Sequence, residues 1–237
     1  SNAIVGGNTA NSILTWNLAA ATTFAGKLGG ELLNENNLSI VKSGAGILTL
    51  SSANTFTGGT TLSAGGITLG NALALGTGTV TLTGGTLNVG TFALTNTVVM
   101  NGGVISGTGS IGGLTASVGS VATKLVGSGD ITKSGSGVLE LQGANGATEA
   151  YTGNVILSAG TIKFTGAGSL GAVSSSVAAY NGTITNAGIL EFAGTATQAL
   201  NGVISGAGSL AVSGAGQVFL YGNNTYSGGT RVSAGNA

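Results

Sequence analysis

A glycine-dense phrase returns three times along this chain. It runs SGAGILTLSSANTFTGGTTLSAG from Ser43, SGAGQVFLYGNNTYSGGTRVSAG from Ser213 and, more loosely, SGSGVLELQGANGATEAYTGNVILSAG from Ser134. Repetition at this scale means like units that bury their apolar faces against one another. Each phrase opens with a pair of spaced glycines: Gly44 and Gly46, Gly135 and Gly137, Gly214 and Gly216. An alternating run follows: ILTL, VLEL or QVFL. Alternation with period two is the signature of a strand with one buried face.

An Asn stands eleven residues after each opening serine: Asn54, Asn145 and Asn224. An aromatic follows as Phe56, Tyr226 and, after four extra residues near GATE, Tyr151. An insertion of this kind belongs in a solvent-facing loop. The pairs Gly58 and Gly59, Gly153 and Asn154, and Gly228 and Gly229 then occupy equivalent places. Gly and Asn both visit positive φ, so the exchange of Gly59 for Asn154 predicts a left-handed turn residue there. On that reading Gly59→Val costs more stability than Gly59→Asn.

Phrases such as TGTVTLTGGTLNVG from Thr77 and NGGVISGTGSIGGL from Asn101 fill the gaps with further short strands and Gly, Asn, Ser and Thr corners. Helix is hinted at only between Leu32 and Asn36. The opening serines lie 91 and 79 residues apart, about four coils each at 20 to 25 residues per coil. Coils spaced by about 4.8 Å would make a rod on the order of 50 Å long. The expected domain organisation is one β-helical fragment over residues 4–237, with copies near 42–71, 133–166 and 212–237. The opening SNA resembles a tag-cleavage scar. No signal peptide follows it, and the chain stops inside a repeat, as an excised fragment would.

Composition excludes several function classes. Glycine supplies 47 of 237 residues, and Pro, Cys and His are absent. Without His or Cys there is no His-based triad, no thiolate chemistry and no common zinc ligand. Six acidic and six basic residues are scattered without clusters along the chain. That leaves no basic stripe for nucleic acid. No apolar run approaches the roughly 20 residues of a spanning helix.

The acids are Glu31, Glu35, Asp130, Glu140, Glu149 and Glu191. Only Glu31 and Glu35 lie close in sequence, and a helix would put them on one face. Ordinary solvent exposure suits them better than glycosidase chemistry, which needs two facing carboxylates. The phrase GSGDITKSGSG has glycine and lysine but no phosphate-loop order. Lys42 and Lys133 share one repeat position, and an acid on a neighbouring coil is the partner to look for. Trp16 reads as a cover over the core near the amino-terminal end rather than as a sugar anchor.

The repeated phrases resemble the passenger-associated repeat of bacterial autotransporters. The likeness runs through Lys42, Gly44, Gly46, Leu48, Leu50, Asn54, Phe56, Thr57, Gly58, Gly59, Thr60, Ala64 and Gly65. In the third copy it runs through Gly214, Gly216, Leu220, Asn224, Tyr226, Ser227, Gly228, Gly229, Thr230, Ala234 and Gly235, with Val212 replacing the lysine. The resemblance implies an all-β, right-handed parallel β-helix, a single-stranded β-solenoid. It implies secretion to the surface of a Gram-negative bacterium through a C-terminal translocator barrel. It also implies a segment that supports adhesion or aggregation and promotes passenger folding. The absent His and Cys, with the scattered acids, make the expected segment a structural, non-enzymatic one without cofactor or metal. The implied partners are a host or bacterial surface ligand, glycan or protein, and further copies of the chain. A polysaccharide-binding or polysaccharide-degrading β-helix is the alternative. Far-ultraviolet circular dichroism should show β-structure almost without helix. Small-angle scattering should give a radius of gyration well above the about 17–18 Å of a compact chain of this length.

Overall fold

The computed structural model describes residues 3–234. The expected scar residues Ser1 and Asn2, and the repeat's Gly235, lie outside that span. Every regular element described is a strand. The stretch with a hint of helix is a turn at residues 33–36. The chain divides into two compact units, residues 1–109 and 110–237.

In the first unit, strand Leu38–Ser43 pairs in parallel with Ser12–Asn17 on one side and Thr60–Leu62 on the other. Val80–Leu82 and the start of Val98–Ser106 continue that face. A second face carries Thr22–Phe24, Ile47–Leu50, Gly66–Leu69, Thr86–Asn88 and the end of Val98–Ser106. Thr60 pairs with Val80, so a coil here takes 20 residues. Parallel register makes inward residues stack as columns. Leu48, Ile67, Leu87 and Ile105 form one such column, and all four are buried. The alternate positions point outward. They carry Thr23, Thr49, Thr68, Asn88 and Ser106 on the second face, and Thr15, Val41, Thr61, Thr81 and Val99 on the first. β-branched side chains suit such a pleated surface.

The second unit repeats the plan. One face runs through Leu114–Val121, Ile131–Lys133, Val155–Leu157, Ile184–Asn186 and Ile204–Ser205. The other runs through Val138–Leu141, Thr161–Phe164, Ile189–Phe192, Ser209–Val212 and Thr230–Val232. The coil from Val155 to its partner Ile184 takes 29 residues, more than the expected 20 to 25. The excess is a hairpin in which Ala172–Ser174 runs antiparallel to Val177–Tyr180. Its two turn residues, Ser175 and Ser176, have φ of 50° and 71°. Both central residues are therefore left-handed, as in a type I′ turn. The insertion near GATE is a loop whose Ala147 and Thr148 are exposed. Aromatic rings stack across coils, Phe164 on Phe192 at 4.8 Å and Tyr151 on Tyr180 at 6.0 Å.

Gly59 and Gly229 are left-handed, at φ 86° and 78°. Asn154 is not, which corrects the reading of that exchange. Asn154 holds its place through side-chain bonds instead. Its N–H donates to Asp130 Oδ1 at 2.8 Å, and its Oδ1 accepts from Thr183 N at 3.2 Å and Oγ1 at 2.8 Å. The two glycines also differ in their surroundings. A Cβ on Gly59 would lie 2.5 Å from the Thr79 carbonyl oxygen, whereas one on Gly229 would meet nothing within 4 Å. Urea denaturation should therefore find Gly229→Asn nearly neutral and Gly229→Val costing about 1–3 kcal/mol. At Gly59 both substitutions should destabilise, Val more than Asn.

Candidate functional site at the repeated corners

The corner between the two faces is where the first two copies place a lysine inside the solenoid. Period-two alternation in Leu38–Ser43 turns Leu38, Ile40 and Lys42 inward. Lys42 has no exposed surface, and neither has Lys133 in Ile131–Lys133. Neither meets an acid, contrary to expectation. Lys42 Nζ donates to the carbonyl oxygens of Ser43 at 2.8 Å, Gly44 at 3.0 Å and Ala64 at 3.3 Å. Lys133 Nζ donates to those of Ser134, Gly135 and Ala159, the last two at 2.7 and 3.2 Å. Burial lowers the pKa of both amines from the usual lysine value. Gly44 and Gly135 are left-handed at φ 74° and 68°, but Gly214 is not. The third copy has the fully buried Val212 where the others have lysine. At Gly46 and Gly216 a Cβ would clash with a backbone oxygen of the preceding coil, and at Gly137 it would lie 2.9 Å from the Val118 side chain.

Asn54 and Asn145 sit on the third, irregular side of the coil, whereas Asn224 lies against Ile204 of the first face. Asn54 Oδ1 accepts from Leu28 N at 2.9 Å, and its Nδ2 donates to Ala74 O at 2.6 Å. Asn145 makes the same pair of bonds, to Leu125 N at 3.2 Å and Gly171 O at 3.0 Å. Asn224 Oδ1 accepts from Ile204 N at 2.8 Å. A carboxamide has both a donor and an acceptor, so one side chain can serve the coil before it and the coil after it. Phe56 and Tyr151 are buried beside these staples, while Tyr226 is half-buried with its hydroxyl on Thr230 Oγ1. Tyr151 donates to Asn154 O at 2.9 Å, and Tyr180 donates to Gly153 O at 2.7 Å. Burial pushes both phenols up. Gly58 precedes a first-face strand and Gly228 a second-face strand, donating to Leu38 O and Gly208 O. The signal for the asparagines was their fixed offset. Gln198 has no repeat counterpart and was missed. It is buried, with Oε1 on Leu170 N and Nε2 on the carbonyls of Leu170, Ala178 and Ala199.

The carboxylates are individually occupied. Glu35 Oε2 accepts the N–H groups of Glu31 and Leu32, closing its own loop, and Glu31 pairs loosely with Lys27 at 3.7 Å. Glu149, in the insertion loop, pairs with Lys124 at 2.7 Å, and that hydrogen bond holds its carboxyl below the ordinary range. Glu140 accepts from Gln142, and Glu191 from Ser213 and, at 3.4 Å, Lys163. Charges that are scattered in sequence do meet in space. Glu140, Lys163, Glu191, Ala211 and Arg231 form one outward column, because each is an outward position of a strand on the second face. A shallow groove of about 440 Å³ lies over its end, between Glu191, Ser213 and Arg231. Among the described residues, no three His, Cys, Asp or Glu side chains form a metal-binding group. Trp16 is half-buried in the column of Lys42 and packs on Phe24 at 5.6 Å.

Asn54→Ala should strand the Leu28 N–H and the Ala74 carbonyl, costing about 2–6 kcal/mol at about 1–3 per buried unpaired group. Asn224→Ala should cost less, since one bond at a half-buried site is lost. Denaturant midpoints of the two purified variants check the order.

The passenger-associated-transport-repeat family model matches residues 40–69, 131–163 and 210–236, the stretches that carry these lysines, asparagines and glycine pairs. Over 182 residues the chain is 33% identical to Adhesin BmaC autotransporter of Brucella suis biovar 1 (strain 1330). That match covers 73% of this chain and 5% of the relative. The chain thus spans a small fraction of the relative's length. No solved structure matches it. With its parallel coils and three matched repeats, the chain is a stretch of autotransporter passenger β-solenoid, of the secreted or cell-surface proteins of Gram-negative bacteria.

Proposed function

We propose that this segment is a structural stalk of its passenger, supporting adhesion or aggregation and promoting passenger folding and secretion. The repeat residues act as internal braces rather than as ligands. The observation that carries this reading is the placement of the repeat's polar side chains. Lys42, Asn54, Lys133 and Asn145 are all buried and bonded to backbone, so they are spent on holding coils together. The occupied carboxylates fit a non-enzymatic role, and the relative's printed name, adhesin, supports the link to adhesion. The partners on this reading are a surface ligand, glycan or protein, further copies of the chain, and a C-terminal translocator barrel in the full-length protein.

A polysaccharide-binding or polysaccharide-degrading β-helix is the second reading. The groove beside Glu191 and Arg231 is the feature that favours it. Cells displaying the passenger with and without residues 4–237 should differ in adhesion or settling, without any glycan hydrolysis by the purified segment. Glycan turnover that disappears in Asp130→Asn or Glu140→Gln would replace the stalk with the enzyme.

A further inference from the structure

We propose that Lys42 and Lys133 are latches, whose amines close each repeat's corner onto the following coil. Two independent copies show the same donor set. The amine takes the carbonyls one and two residues ahead of it, then a third from the next coil, 22 or 26 residues on. Those third carbonyls, of Ala64 and Ala159, accept no backbone N–H among the described residues, and neither do Gly44 O and Gly135 O. Without the amine, converging acceptors would face one another inside the corner with nothing to donate to them.

The backbone is shaped to match. The left-handed glycine two residues after each lysine turns two successive carbonyls toward the amine. In the third copy Val212 ends a strand of the second face, at another corner, and Gly214 after it is not left-handed. The next coil leaves room as well, since a Cβ on Gly160 would lie 2.8 Å from Lys133 Nζ. No carboxylate competes for either amine. Residues 1–109 contain two acids, Glu31 and Glu35, both in the loop that Glu35 caps. The four in residues 110–237 are bonded elsewhere. The latch is therefore an internal cation bridging consecutive coils, and an amine blocked before folding cannot form it.

Two measurements test this. The first uses sulfosuccinimidyl acetate, in which the amine attacks the ester carbonyl, N-hydroxysulfosuccinimide leaves, and the amine's proton passes to solvent. On the folded protein Lys27, Lys124 and Lys163 should acetylate while Lys42 and Lys133 stay unmodified, and in urea all five should react. Equal labelling of Lys42 and Lys27 in the folded protein would overturn the proposal. The second uses the absence of cysteine. Lys42→Cys, unfolded and alkylated with 2-bromoethylamine, regains a side chain of lysine length ending in an amine. 1-Iodopropane gives the same length with a methyl group in place of the nitrogen. After refolding, the amine form should return to the wild-type urea midpoint. The propyl form should exchange the Gly66 amide, which donates to Gly46 O at the same corner, faster by about tenfold or more, as loss of bonds to a charged donor implies. Equal behaviour of the two forms would show that length alone matters and would sink the latch. If neither form refolds, the labelling pattern decides by itself.

Discussion

A stacked solenoid satisfies its strands by ladder and leaves its corners to be solved separately. Along each face every backbone group meets the coil above and the coil below. At the corners the chain changes direction, and its N–H and C=O groups lose that regular partner while still buried. In this protein the shortfall is met from within by a few polar side chains. Asn54 and Asn145 span three coils apiece, Gln198 serves three carbonyls and one N–H, and the two buried lysines gather carbonyls, of which those of Gly44, Ala64, Gly135 and Ala159 accept no backbone N–H among the described residues. The apolar columns provide the hydrophobic drive, but these side chains determine where each coil may turn.

The same constraint accounts for the economy of charge. A surface of threonine and asparagine columns hydrates well and packs on a pleated sheet without ionic groups. Charge is used where it can be paired across coils. Lys163 lies between Glu140 and Glu191 in one outward column, and Lys124 ties the insertion loop through Glu149. Exposed pairs of this kind contribute little stability each, generally under about 1 kcal/mol. The buried amines at the corners are a different matter, because desolvation makes each depend on its carbonyls.

Register survives changes in coil length. The hairpin at residues 172–180 and the loop at residues 146–149 add residues to single coils, yet Ile131, Val155, Ile184 and Ile204 still stack in one column. Because side chains alternate with period two, a slip by one residue would turn Ile and Val outward and polar residues inward. Length variation is therefore confined to the irregular side, where Val177–Tyr180 resumes parallel pairing with Thr197–Leu200.

Much of this was legible in the residues alone. The alternation in ILTL and VLEL marked strands with one buried face, and the returning glycines and asparagines marked stacked units of one family. These are local or periodic signals, and a solenoid is built of little else. The sequence also showed that Lys42, Lys133 and the asparagines recur, but not what they touch. Their partners lie roughly one coil away, at Ala64, Ala159, Ala74 and Gly171, at separations that vary with each insertion. The misreading of Asn154 has the same origin. Substitution by Asn matched what a left-handed turn tolerates, while the actual cause was a pair of bonds to Asp130 and Thr183, 24 and 29 residues away. The Ser175–Ser176 turn escaped because serine is a weak left-handed signal, and it was the pairing of its flanking strands that required it. Local backbone preference and side-chain period thus come from the sequence, whereas the partner of every buried polar group is chosen by whichever coil is stacked upon it.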